Sequence, residues 1–384
     1  MGYRWAVLAA GTAAQASASA VGIGLPVLAP VLRDEYSLSV GEVGVVLATL
    51  WVGSLATLLP WGLAADRFGE RVALALGLAG SAACLVGAAY APNFGALLGL
   101  LTLAGAFGSS VNSASGRAVM QWFGSDERGL ALGIRQASVP LGGVAAALAV
   151  PGLVAAGGSE AAFLFLGGLC VFGALVGAIV LRGRDMADGI EPDTVGRTLR
   201  DGRLWRLSFG SGIYLYAQVA VIGFGVLFLV DEHRFSQQSA ALVLGGSQVL
   251  AIAFRVGAGR WSDLVGSRVA PLRRVGLAVA VGMVLTAALA GGPVWLLVPA
   301  LTLVGGLSMA WNGLAFVAAA ELAGTVRSGA AIGFQQTVLS GVGVAAPVLF
   351  AATVSVWGWT AAFAFSALFP LVGWWALRPL AERR

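Results

Sequence analysis

Three arginines, Arg117, Arg135 and Arg255, stand inside stretches that are otherwise apolar. A charge at the middle of a bilayer costs about 2.5–3.5 kcal/mol on insertion scales, so a cation kept there calls for a use. The same stretches carry no Asp or Glu in their middles: Glu42 lies near one end of its stretch and Glu321 near one end of its own. A guanidinium in that setting suits an anion, because its planar fork matches a carboxylate with two parallel hydrogen bonds. Depth ranks the three. Arg255 precedes Asp263 by eight residues, roughly 12 Å of helix, against a half-thickness of roughly 15 Å for the hydrocarbon core. Arg135 lies about 10 Å in from Arg128. Arg117 is five residues from Trp122 and can snorkel to the interface. The competing reading for each is an arginine satisfied by backbone carbonyls or by a gate contact.

Neutral polar side chains gather at similar depths. Gln15 and Tyr214 each sit about ten residues into a stretch, Asn112 and Asn312 near the centres of two others, and Gln136, Gln335 and Gln336 beside them. Taken together they outline a substrate pocket; taken singly, hydrogen bonds between helices satisfy each. No nucleophile–base pair or metal-ligand spacing is visible, so an enzyme is not expected, nor any metal or cofactor. The lone His233 belongs to a loop, and Cys84 and Cys170 lie in separate apolar stretches, which predicts no disulfide.

The elements that must position these groups are membrane helices. Hydrophobic residues make up 58% of the 384 and charged residues only 11%, against about 25% charged in soluble domains. Stretches of spanning length fall near 5–32, 41–64, 72–91, 95–122, 129–156 and 160–181, and again near 204–230, 238–262, 270–290, 294–320, 329–356 and 358–377. The expected architecture is an all-α membrane protein of twelve spans, with a six-helix half over 1–182, a polar linker over 183–203 and a second half over 204–384. All 23 basic residues are arginine; with the amino terminus inside, 18 fall on the inner side and only Arg33 and Arg234 outside. That asymmetry predicts cytoplasmic termini, and it accounts for the basic balance without a nucleic-acid partner. A cleaved leader ending at Ala16–Ala20 is the alternative for the first stretch, but apolar sequence runs on to Leu32.

The two halves repeat one another. Gly62, Asp66, Gly69 and Arg71 recur as Gly259, Asp263, Gly266 and Arg268, all 197 residues on; Asn112 and Gln136 recur as Asn312 and Gln336, 200 residues on. Duplicated bundles with a site between their halves are how many secondary transporters are built.

These residues carry a resemblance to the major facilitator superfamily over the whole chain. Gly62, Asp66, Arg67, Gly69 and Arg71 fit that family's signature G-x-x-x-D-R-x-G-x-R, and Gln121–Gly133 is similar to its link between helices 4 and 5. The resemblance implies that Asp66 latches the cytoplasmic side at a helix amino terminus, with Arg67 and Arg71 as charge partners and Asp263 as a second-half counterpart. Because helices 4 and 10 face one another in that family, it also implies a gate pair of Arg117 with Glu321. Leu101 stands where the family often has an arginine, and Pro140-Leu-Gly-Gly143 only loosely resembles its antiporter motif; both departures speak against a proton-driven drug exporter. Arg255, Gly257, Gly259 and Asp263 resemble helix 8 of the monocarboxylate and oxalate carriers, where the equivalent arginine binds substrate carboxylate. The expectation is a carrier of small organic anions working by alternating access, as a functional monomer in the cytoplasmic membrane, coupled through the substrate's own proton or a counter-anion. Efflux of a lipophilic compound, drawing on Trp51, Trp61 and Trp311, is the first alternative. A membrane sensor that binds without transport is the second.

Overall fold

The computed structural model describes residues 2–112, 122–123, 128–181, 196, 199–324 and 327–381. Among them the regular structure is helical, with no strand. Ten helices among the described residues are long and apolar enough to cross a membrane. Two of these, Arg128–Val180 and Ser328–Ser366, far exceed a single crossing and are broken part-way by glycines. Gly158 (φ 65°) and Gly358 (φ 79°) occupy the left-handed region, where a side chain clashes with the backbone. Each run therefore makes two spans, and ten runs give twelve. We number them α1 (Gly2–Tyr36), α2 (Val40–Phe68), α3 (Glu70–Ala89), α4 (Phe94–Asn112), α5 (128–156), α6 (159–180), α7 (Gly202–His233), α8 (Gln237–Val265), α9 (Val269–Leu289), α10 (Val294–Ala323), α11 (328–357) and α12 (359–376).

The duplication read in the sequence recurs in the backbone. Positive φ angles fall at Ser37 and Arg234, at Gly69 and Gly266, and at Gly158 and Gly358; the first two pairs are 197 residues apart and the third 200. Each pair ends corresponding helices of the two halves. Local chemistry sets several starts. Ser39 and Glu42 form a reciprocal capping box at α2, which explains why an acidic residue stands at that helix end. Asn93 caps α4 and Asp201 caps α7 through their side-chain oxygens.

The helices form two compact units: residues 1–184 with 222–248, and 185–221 with 249–384. In the first, backbones meet at glycine. A Cβ on Gly53 would lie 1.9 Å from the Thr102 carbonyl oxygen, and one on Gly142 would lie 2.2 Å from that of Ala16. These contacts lock α2 to α4 and α5 to α1 by the close approach that small residues permit in lipid. In the second unit, Gly373 meets the Gly210 carbonyl oxygen in the same way, joining α12 to α7.

Candidate functional site

Two membrane helices are discontinuous at equivalent places. In α4 the helix turns at Ser109, where the Ala106 carbonyl accepts from the Thr57 hydroxyl, the Trp61 indole and the Ser109 hydroxyl. In α10 residues 308–310 form a tighter turn, with Met309 N–H on the Gly306 carbonyl and Ala310 N–H on that of Leu307. Asn112 and Asn312 each follow the break by a few residues. A third irregularity is the π turn Val219–Gly223 inside α7. Such breaks leave backbone groups open to side chains or ligands, and π turns often accompany function.

The second unit builds its polar centre on these breaks. Arg255, half-buried in α8, donates from Nε to the Met309 carbonyl at the α10 break, at 3.0 Å. Three residues on, Asn312 donates from Nδ2 to Gln218 Oε1 at 3.2 Å, and Gln218 is the residue just before the π turn. The guanidinium thus donates to a neutral carbonyl three residues before a cross-helix amide pair. Gln335 of α11 donates to the Ser211 hydroxyl of α7 at 3.3 Å and is fully buried. Tyr214 stands apart from this group. Its hydroxyl is where a Cβ on Gly276 would fall, its ring fills the gap beside Gly373, and it meets Trp311 edge-on at 6.0 Å. That is a packing post between α7, α9, α10 and α12. Gln336 is half-buried on α11.

In the first unit Arg135 is buried in α5 and donates from Nη2 to Gln15 Oε1 of α1 at 3.0 Å. Gln136 and Asn112 are half-buried. The structure therefore joins Arg135 with Gln15, and Asn312 with a residue the sequence reading passed over, Gln218. Also passed over were the Met309 carbonyl, Ser211, and Gln248, a fully buried amide on α8. Gln218 and Gln248 were visible as polar residues in apolar runs. The α10 break had no proline to announce it.

Residues 8–347 match the Major Facilitator Superfamily. The chain belongs to that superfamily. It is 30% identical over 374 residues, 97% of this chain and 84% of the relative, to an uncharacterized MFS-type transporter of Mycobacterium tuberculosis. Shorter matches are to a probable sulfoacetate transporter of Cupriavidus necator (33% identity, 38% of this chain and 34% of that one) and to a hexuronate transporter of Bacillus subtilis (25% identity, 31% and 28%). Among solved structures, an inward-facing bacterial homolog of the human lysosomal transporter Spinster matches with a TM-score of 0.82, at 17% identity, covering 100% of this chain and 99% of that one. The chain is thus a multi-pass Major Facilitator Superfamily transporter, and such a protein binds a small-molecule substrate within the membrane.

The superfamily's loop signature closes α2. Gly69 (φ 83°) ends that helix with its N–H on the Ala65 carbonyl and begins α3; Gly62 has open space around it; Arg67 is exposed with its guanidinium 5.3 Å from the Phe68 ring centre; Arg71 is exposed. The Asp66 side chain and Arg117 lie outside the described residues. In the second half Arg268 ties the equivalent turn together. It donates from Nε to Glu321 Oε1 at 2.9 Å, from Nη1 to the Ser262 hydroxyl at 2.6 Å, and also to the Asp263 carboxylate. Burial pulls the Arg268 pKa down, and Asp263 and Glu321 more than reverse it, so it stands above the ordinary arginine value. A raised pKa contributes stability below the unfolded value and loses it only as pH climbs through the folded one, far into alkali. Glu321 is thus engaged by α8–α9 turn chemistry inside its own half.

Proposed function

We propose that this transporter carries small organic anions, monocarboxylate-like in class, by alternating access across the cytoplasmic membrane, with Arg255 neutralising the substrate carboxylate. The observation that carries this reading is the seat of Arg255: a cation in a membrane helix, oriented by the Met309 carbonyl at the break of α10. Discontinuous helices at mid-membrane mark the substrate sites of many carriers, and a planar guanidinium matches the geometry of a carboxylate. Asn312 and Gln218 would set shape beside it, with Arg135, Gln15 and the glutamines of α5 and α11 assisting. The names of two shorter-matching relatives, for sulfoacetate and hexuronate, are names of organic anions and point the same way. The arginine distribution supports termini in the cytoplasm, and coupling falls to the substrate's own proton or to a counter-anion. Asp66, Arg67 and Arg71 of the first loop, with Asp263, Arg268 and Glu321 of the second half, serve the gate.

The lipophilic-efflux alternative loses ground with its aromatics, because Trp61 donates to the Ala106 carbonyl and Trp311 is fully buried. Uptake into proteoliposomes tests the proposal. A panel of labelled short carboxylates, sulfonates and sugar acids is offered with neutral lipophilic compounds as the comparison. Accumulation of an anion that falls more than tenfold in Arg255→Gln supports the reading, since a lost charge-assisted contact is worth about 1.5–3 kcal/mol. Accumulation of neutral compounds alone, or none of any compound, contradicts it; the latter favours the sensor.

A further inference from the structure

Near its start α9 carries two adjacent arginines, Arg273 and Arg274, which the duplication does not account for. The repeat positions 197 residues earlier hold Leu76 and Gly77, and Ala64 stands where α8 has Trp261. Each arginine is seated on a tryptophan of a neighbouring helix. The Arg273 guanidinium lies 5.1 Å from the Trp374 ring centre of α12 and donates from Nε to the Trp374 carbonyl at 3.0 Å. That of Arg274 lies 5.4 Å from the Trp261 ring centre of α8. Neither meets a carboxylate among the described residues, whereas Arg268 at the same helix end meets two.

The surroundings are those of a membrane surface. Arg273 and Arg274 stand four and five residues beyond Val269, roughly 6–8 Å into the helix, a depth from which an arginine reaches the headgroup layer. Arg274 is exposed, and so are Leu277, Val281, Val284 and Leu285 after it. Their spacings put them on one helix face with Arg274. A charged head with an apolar stripe running away from it is the outline of a phospholipid.

We propose that Arg273 and Arg274, held by Trp374 and Trp261, bind the phosphate of an anionic phospholipid whose acyl chains lie along the exposed face of α9. A guanidinium matches phosphate oxygens with parallel hydrogen bonds. The ring contacts hold both side chains in place before the lipid arrives, which lowers the cost of binding. Basic groups between helices at a membrane surface take such headgroups. Arginines that only set orientation across the membrane need to lie near a helix end, but need no tryptophan against each guanidinium. The inference is independent of what Arg255 binds.

Native mass spectrometry of the delipidated full-length protein in detergent tests it, with phosphatidylglycerol as the anionic probe and phosphatidylcholine as the zwitterionic one. Phosphatidylglycerol should bind the wild type more tightly. Arg274→Gln, at an exposed position, should raise its apparent Kd about fivefold, the loss of one arginine at a lipid surface, and the double variant with Arg273→Gln roughly twenty-fivefold. Arg206→Gln, which removes an exposed arginine of α7, should leave the Kd unchanged, and inorganic phosphate should not displace the lipid. Equal affinity for the two lipids, or undiminished affinity in the double variant, would overturn the proposal. An equal loss in Arg206→Gln would overturn it by revealing a diffuse attraction, and displacement by inorganic phosphate would overturn it in favour of a soluble anion.

Discussion

Arg255 and Arg135 are chemically alike and differently placed. Arg135 is buried against Gln15, a contact that also joins α1 to α5. Arg255 is tied to a backbone carbonyl at a helix break, a seat that orients its fork. Their variants should separate accordingly. Gln15→Leu removes an acceptor from a buried guanidinium and should lower stability by about 1.5–3 kcal/mol, read as a drop in apparent Tm. Arg255→Gln should change ligand response with a smaller effect on Tm; an equal fall in Tm for both would mean that Arg255 too is structural. Sequence found the arginines because charge in an apolar run is conspicuous. It named Gln15 and backbone carbonyls without pairing them to particular arginines, since a freed carbonyl such as that of Met309 has no residue type. The packing of Tyr214 against Gly276 and Gly373 was not legible from its depth, which a packing aromatic shares with a binding one.

At the level of the helix, glycine decides where backbones meet and where helices stop. Gly142→Ala would push a methyl against the Ala16 carbonyl oxygen and should cost about 1–3 kcal/mol by overpacking. Gly358→Ala should cost roughly 1–2 kcal/mol through its left-handed backbone. Gly152, with open space around it, is the control: Ala there should be neutral or stabilising by up to about 1 kcal/mol. Thermal melts of the three variants check the ordering, and equal shifts would contradict it. The ion pair of Arg268 with Glu321 makes a smaller claim. Glu321 is 54% exposed, so Glu321→Ala should cost under about 1 kcal/mol and less at high salt; a larger or salt-independent loss would assign Glu321 some other partner. Span positions were legible because length and hydropathy fix them. The breaks in α7 and α10 were not, for they arise from side chains competing for backbone groups in three dimensions.

For the whole molecule, duplication is the organising fact, and it is legible in the paired motifs of the sequence. The left-handed residues Ser37 with Arg234, and Gly158 with Gly358, carry the repeat into the backbone beyond the paired motifs. What the repeat did not foretell is that residues 222–248 pack with the first repeat's helices, because packing partners are set by surfaces rather than by ancestry. The account's central claim is that this transporter recognises anions through Arg255. The most direct measurement is thermal stabilisation of the purified protein by small carboxylates and sulfonates beside neutral lipophilic compounds, in wild type and Arg255→Gln. A ligand at a hundred times its Kd stabilises by about 2.7 kcal/mol. The account predicts that one or more anions raise the wild-type Tm and leave Arg255→Gln unmoved. Stabilisation by neutral compounds alone, or anion stabilisation that persists undiminished in Arg255→Gln, would contradict it.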